Sequence, residues 1–233
     1  MSGWLTPDEW SIVALSLKVS VVAVLLTLPL SYALAWVLAR RRFPGVILLD
    51  ALVHLPLVVP PVVTGWLLLL LFGRYGPVGG WLEAQLGITL VFRWTGAALA
   101  AAVMALPLMV RAMRLSIEAV DRRLVDAART LGASRWRAFR TITLPLSAPG
   151  IAAGAMLGFA RSLGEFGATI TFASNIAGQT RTLPLAIYSG LQVPGGEALV
   201  TRLSLISIAL SLAALVVSEL LVRRSAGSRA HVL

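Results

Sequence analysis

Five stretches of this chain, at 12–39, 46–72, 94–113, 150–172 and 199–222, run for twenty or more residues with no more than two charged side chains in any one of them. About 20 predominantly apolar residues are enough to cross the hydrocarbon core of a bilayer as a helix. A water-soluble domain has nowhere to bury five such runs. The composition agrees: 58% of residues are hydrophobic and 13% charged, roughly half the ~25% charged content of an ordinary soluble domain. A soluble enzyme, a disordered tail and a nucleic-acid module are all excluded, the last because its net charge of +10 would have to sit on a polar surface. With no cysteine, neither a disulfide framework nor a thiolate metal site can be built. The remaining class is an all-α integral membrane protein, a single transmembrane domain over residues 1–233 with five membrane-crossing helices.

Its orientation follows from where the basic residues sit. Three arginines at 40–42, eight between 111 and 140, and three between 223 and 229 make fourteen of the twenty Lys and Arg, all on one side of a five-span chain. The positive-inside rule then puts the N-terminus outside and the C-terminus in the cytoplasm. The first run is expected to be retained rather than cleaved, because its leader carries Asp8 and Glu9 and the run exceeds a signal-peptide core. The segment 183–191 is an alternative sixth membrane element; its polar, proline-bounded character favours an outer-face helix. Residues 1–10 and 225–233 carry no readable signal.

The long basic loop at 114–149 is the informative segment. Ile117, Val120, Leu124, Ala127, Ala128 and Leu131 recur at spacings of three and four, which predicts one amphipathic helix over 116–131. Gly132 is placed to end it, because glycine accepts the left-handed conformation at helix ends. A second short helix is expected over 134–142, with Trp136 and Phe139 on one face; Pro145 should block its continuation and Pro149 open the fourth span. The pattern alone fits a basic helix lying on anionic lipid equally well. The string Asp126-Ala127-Ala128-x3-Gly132-x9-Ile142-x-Leu144-Pro145 adds more. It resembles the E-A-A-x3-G-x9-I-x-L-P loop in the membrane subunits of binding-protein-dependent ABC importers.

That resemblance implies a type I importer permease fold. It also implies that Asp126, Ala127, Ala128, Gly132, Trp136, Ile142, Leu144 and Pro145 form a coupling helix and its base, seated in a groove of a cytoplasmic ATPase. The departure is Asp126, which keeps the charge of the family's glutamate on a side chain one methylene shorter. The partners implied are a second copy of the chain, two ABC ATPase subunits that carry ATP and Mg, a periplasmic or extracellular binding protein, and membrane lipid, with no nucleic acid. This chain has no G-x4-G-K-[ST] string to bind ATP itself. It is expected to be non-catalytic, with no cofactor or metal site of its own; His54 and His231 have no metal-ligand company.

Other segments narrow the branch. The strings 55–65, 72–79, 164–175 and 179–188 resemble the molybdate importers and overlap the sister sulfate permeases, so the resemblance covers most of the chain. It implies a multi-pass permease of a prokaryotic cell membrane that passes molybdate, or the like-shaped tungstate, by alternating access. Pro56, Pro60 and Pro61 remove backbone donors and kink a helix, a feature that reads either as a packing kink or as a pathway wall with Thr64 nearby. Gly150, Gly154 and Gly158 form a small-residue packing face, within the chain or between copies. Arg161 and Glu165 stand at i and i+4 and can pair. A charge at the bilayer centre costs about 2.5–3.5 kcal/mol on insertion scales, so they should face protein or water, either holding subunits together or meeting substrate. Glu165, Thr169, Ser174 and Asn175 complete the pathway candidates, mostly polar but neutral. A sulfate permease is the alternative cargo. An ion-driven secondary transporter predicts repeated halves, and no motif here recurs.

The orientation is directly testable because the natural chain lacks cysteine. A single Ser134→Cys should react with a membrane-impermeant maleimide only from the cytoplasmic side, and Gln179→Cys only from outside; the reverse pattern would invert the topology.

Overall fold

A computed structural model describes residues 5–41 and 43–227; Arg42, Arg229 and His231 lie outside the described residues. Helix α1 (Pro7–Arg40) starts on a reciprocal cap. The Glu9 N–H donates to Thr6 Oγ1 at 3.3 Å, and the Thr6 N–H donates to the Glu9 carboxylate at 2.7 Å, while Pro7 occupies the first turn where no donor is needed. Its 34 residues rise about 50 Å, well beyond the ~30 Å hydrocarbon core, so both ends emerge from it. The expected first span, 12–39, lies within this helix, which begins earlier, at Pro7.

Helix α5 (Trp94–Glu118) is the centre of the molecule. Ala97, Ala98, Ala100, Ala101, Ala102 and Ala105 are all buried, so its neighbours approach close to its backbone. α1 lies along one flank and α8 (Leu144–Leu163) along another. A Cβ at Gly150 would stand 2.2 Å from the Ser116 Cβ, and one at Gly158 2.5 Å from Met109 Sδ. The glycine stripe is therefore a contact within one chain, α8 laid on α5.

Four described helices are long and apolar enough to cross a membrane, or five when a bent pair is counted as one span. That pair occupies the run expected at 46–72, and the distortion expected from its prolines is a break between two helices rather than a kink within one. α2 (Val46–Val58) and α3 (Pro61–Phe72) meet at 116°. Val59 has ψ 137° and Pro60 ψ 136°, because each precedes a proline whose ring excludes the helical conformation. α4 (Pro77–Leu86) follows as a short helix not foreseen in the sequence.

The loop differs from expectation in two ways. The helix expected over 116–131 is split: α5 runs to Glu118, and α6 (Arg122–Thr130) begins afresh. Ile117 and Val120 are buried in the core, and Arg40 Nη2 donates to both of their carbonyls at 3.0 Å, so α5 ends on a cap supplied by α1. Pro145 does not block the second helix. α7 (Arg135–Ala138) passes through a π-turn, Phe139–Thr143, into α8, giving 29 helical residues from Arg135 to Leu163. The wider turn hands the register on, and Pro145 falls in the first turn of α8, where its missing N–H costs little. The fourth span thus starts well before 150 and stops at Leu163; a break at 164–166 separates it from α9 (Gly167–Phe172).

α10 (Leu183–Leu191) occupies the segment of the alternative sixth element. Nine residues are too few to span, and it packs on α1 and α11 (Glu197–Gly227), with its Leu183 N–H donating to Ser16 Oγ at 2.7 Å. Within the N-terminal segment, Thr6 and Glu9 also prove informative. The buried Glu9 carboxylate accepts from Arg202 Nη2 at 2.6 Å and Nε at 2.9 Å, tying α1 to α11.

If the glycine stripe sets the α5–α8 distance, Gly158→Leu should destabilise the protein by about 1–3 kcal/mol, the usual cost of overpacking. Thermal unfolding in detergent reads this, and an unchanged midpoint would show that the contact yields.

Candidate coupling surface and pathway wall

Two places concentrate the sequence-derived residues. The first is the knuckle that α6 and α7 form between α5 and α8. Asp121 caps α6 by accepting from the Arg123 N–H at 2.9 Å. At its other end Gly132 has φ +88°, the Gly132 N–H donates to the Arg129 carbonyl at 3.1 Å, and the Ala133 N–H donates to the Ala128 carbonyl at 3.0 Å. This paired arrangement is the Schellman stop that glycine permits. Ser134 then accepts from the Arg137 N–H at 3.2 Å and opens α7. Trp136 stacks on Phe139 at 5.4 Å between ring centroids, and Phe139 meets the Tyr32 ring at 6.1 Å. The Tyr32 hydroxyl and Ser147 hydroxyl lie 2.9 Å apart. The knuckle is thereby fastened to α1 and α8.

What it does not do is bury itself. α6 has no buried residue; Leu124 is 50% exposed, Leu131 88% and Trp136 65%. Asp126, Ala127 and Gly132 are exposed beside them, Pro145 is exposed, and Ala128, Ile142 and Leu144 are half-buried. A nine-residue helix is far too short to persist in water alone. This one is held by caps and anchors while its apolar face stays open. Such a surface suits a rigid partner.

The second place is where two helix breaks meet. A Cβ at Gly167, the first residue of α9, would lie 2.7 Å from the Pro61 Cβ, and one at Gly65 would lie 2.7 Å from the Ala168 carbonyl oxygen. The α2–α3 bend and the α8–α9 break are thus in contact. Arg161 Nη1 pairs with Glu165 Oε2 at 2.6 Å, and the other Glu165 oxygen accepts from the Ala168 N–H at 2.9 Å. Both partners belong to one chain, and the pair closes a helix break. Glu165 is 2% exposed and Arg161 26%.

The remaining pathway candidates separate into three settings. Pro60 and Pro61 are exposed at the bend, beside exposed Val62, Val63 and Trp66. Thr64 and Thr169 are buried inside the chain. Ser174, with φ +64°, and Asn175 lie on a turn held by Thr180, whose hydroxyl donates to the Ser174 carbonyl at 3.0 Å. Asn175 also accepts from Arg181 Nε at 2.9 Å and donates to Ser189 Oγ at 2.6 Å.

Several anchors escaped the sequence reading. Arg40, counted there only as charge, ends α5. Arg114 bridges Glu118 at 2.8 Å and Asp50 at 3.3 Å. Lys18, inside the first span and exposed on the surface of the chain, places Nζ 3.7 Å from the Trp94 ring centroid, a cation–π contact that gives the ammonium a partner. The Thr6-x-x-Glu9 spacing was a readable cap signal; Arg40 and Lys18 depend on contacts that no local pattern encodes. His54 Nδ1 lies 2.9 Å from the Asp50 carbonyl. No group of three His, Asp or Glu able to hold a metal occurs among the described residues.

Comparison with known proteins places this geometry. The family model of the binding-protein-dependent transport system inner membrane component matches residues 13–227. The molybdenum transport system permease protein ModB of Escherichia coli K12 is 60% identical over 221 residues, covering 95% of this chain and 96% of that protein. ModB of Haemophilus influenzae is 56% identical over 216 residues, 93% of this chain and 94% of that one. The sulfate transport system permease CysT of E. coli is 44% identical over 159 residues, 68% of this chain and 57% of that protein. In fold, the chain is similar to a bacterial ABC transporter involved in alginate import, with TM-score 0.73, 18% identity, and 94% and 80% of the two chains covered.

The ion pair offers a double-mutant test. Arg161→Met alone leaves a buried carboxylate unpaired and should cost about 3 kcal/mol, whereas adding Glu165→Gln should recover most of it. Thermal unfolding of the three proteins reads this; additive losses would mean the two groups act separately.

Proposed function

The chain belongs to the binding-protein-dependent transport system inner membrane component family, and we propose that it is the membrane-spanning subunit of an ATP-driven importer that passes molybdate into the cytoplasm. The observation that carries the reading is α6: a capped, amphipathic helix with no buried residue, anchored between two helices long enough to cross the membrane. In this reading it docks into an ATPase subunit. Asp126 offers an ion pair, Ala127 and Ala128 permit close approach, and Leu131 and Trp136 supply apolar contact. The N-terminus is outside, the C-terminus is cytoplasmic, and the chain is a multi-pass protein of a prokaryotic inner membrane.

Two copies would enclose the pathway, covering the exposed apolar faces of α2 and α3 and the bend at Pro60 and Pro61. ATP binding would close the two ATPases and draw the knuckles together. Hydrolysis would let them part. The transport cycle is then a coupling free energy between the nucleotide sites and the pathway. The chain itself contributes no catalytic group and holds no nucleotide.

The cargo assignment rests on similarity to the molybdenum permeases, at higher identity and over more of the chain than to the sulfate permease. The charge pattern supports a tetrahedral dianion in transit. A bare fixed cation 4 Å from such an ion, at an effective dielectric near 20, would hold it by about 8 kcal/mol and slow release. Here Arg161 is neutralised by Glu165, and Thr64, Thr169, Ser174 and Asn175 are uncharged. Selectivity would then lie mainly with the binding protein above the membrane.

In proteoliposomes containing the permease, its ATPase and its binding protein, molybdate uptake should require ATP. Asp126→Lys should lower the rate by about tenfold or more, matching the loss of roughly 1.4 kcal/mol at the docking surface, and Gly132→Pro should abolish it. Uptake driven by an ion gradient without ATP, or rates unchanged in both variants, would overturn the reading. A binding protein that prefers sulfate would overturn the cargo alone.

A further inference from the structure

A cavity of about 920 Å³ lies between the cytoplasmic end of α1 and the knuckle; it shares Asp126 and Trp136 with the proposed docking surface, while its α1 wall and most of its arginines have no part in that docking. Its volume falls within the ~300–1,000 Å³ typical of ligand sites. One wall is a single stripe of α1, with Pro29, Ala33, Trp36 and Arg40 following at helical spacing. The facing wall is aromatic, from Trp136 and Phe139. Arg41, Arg122, Arg129 and Arg135 complete a basic rim with Arg40, against one acid, Asp126.

The rim is not self-neutralised. The acids in the ion pairs resolved among the described residues are Glu9, Asp50, Glu83, Glu118 and Glu165, and none of these pairs uses Arg122, Arg129 or Arg135. Arg41 leans over the Trp36 ring at 5.2 Å, and Arg40 is already spent on the α5 carbonyls. In the other direction the α1 stripe continues into Leu25, Leu26 and Leu30, which are 64%, 63% and 52% exposed. One continuous face thus passes from bare hydrocarbon, through aromatic rings, to a cluster of guanidinium groups. That order matches the cross-section of a lipid leaflet, with aromatic side chains at the headgroup level and arginine beyond.

We propose that this cavity binds an anionic phospholipid of the cytoplasmic leaflet. Its phosphate diester lies among Arg122, Arg129 and Arg135, and its acyl chains lie along the α1 stripe. A phosphate diester is the right chemistry for several guanidinium groups at once, because their planar donors match its oxygens. Free phosphate would satisfy the same rim but leave Pro29, Ala33 and Trp36 uncovered. An acidic segment of a protein partner would likewise leave the apolar stripe unmatched where it enters the membrane. Basic pockets on the cytoplasmic side of membrane helices select anionic head groups on these grounds. A lipid so placed ties α1 to the knuckle.

Native mass spectrometry of the intact permease–ATPase complex, with phosphatidylglycerol or phosphatidylcholine added, tests the site. The complex should retain phosphatidylglycerol in preference to phosphatidylcholine. Arg129→Ala/Arg135→Ala should weaken retention roughly thirtyfold, while Arg129→Lys/Arg135→Lys should keep most of it. Equal retention of the two lipids would overturn the proposal, as would an alanine variant that holds phosphatidylglycerol like the wild type. Displacement by millimolar inorganic phosphate would make the site one for soluble oxyanions. Retention by the permease alone but not by the complex would assign the cavity to the ATPase. Should the alanine variant fail to assemble, the lipid comparison and phosphate competition on the wild type still decide.

Discussion

The contact between α8 and α5 is the constraint on which the rest of the molecule depends. Gly150, Gly154 and Gly158 let α8 lie directly on α5, with Met109, Met113 and Ser116 filling the space side chains would have taken. In lipid there is little hydrophobic drive between helices, so such close packing must supply the cohesion. Because the knuckle leaves the membrane on α5 and returns on α8, this one contact sets the spacing of both its feet. Arg40 closes the arrangement by capping α5 from α1, and Tyr32 reaches Ser147 from the same helix. A displacement of α6 therefore cannot be absorbed locally. It must move α8 as a body.

The far end of α8 is the break at which Arg161 and Glu165 pair. From there α9 touches α3 beside Pro61, so packed contacts run without interruption from the knuckle to the bend in the second span. Irregular backbone at membrane depth is tolerated only where protein or water covers it. In a single chain the Pro60–Pro61 bend is open on one side, with exposed valines and Trp66 around it. Cover from a second copy would satisfy that requirement and put the two bends face to face.

How much of this was legible in the sequence depended on how far each determinant lay along the chain. The apolar runs, the stop at Gly132, the 183–191 helix and the Arg161–Glu165 spacing are local, and each was readable from its own neighbourhood. The split of the predicted 116–131 helix was not, because its cause is a guanidinium 77 residues from Ile117. Pro145 misled for a different reason. The rule that proline ends helices assumes an α register, and the π-turn at Phe139–Thr143 supplies another. The Pro60–Pro61 run signalled distortion without saying whether the helix would kink or turn through 116°. The candidate site divides in the same way: knuckle residues sit together because they are sequential, whereas Pro60, Thr64 and Asn175 occupy separate settings that only the tertiary packing defines.

The central claim is that the knuckle is held by a separate motor protein. A photo-crosslinking residue at Leu131, in the assembled importer with its ATPase and binding protein, tests it most directly. The account predicts one dominant adduct, to the ATPase subunit, whose yield changes when ATP is bound. An active complex in which position 131 reacts only with lipid or solvent would contradict it.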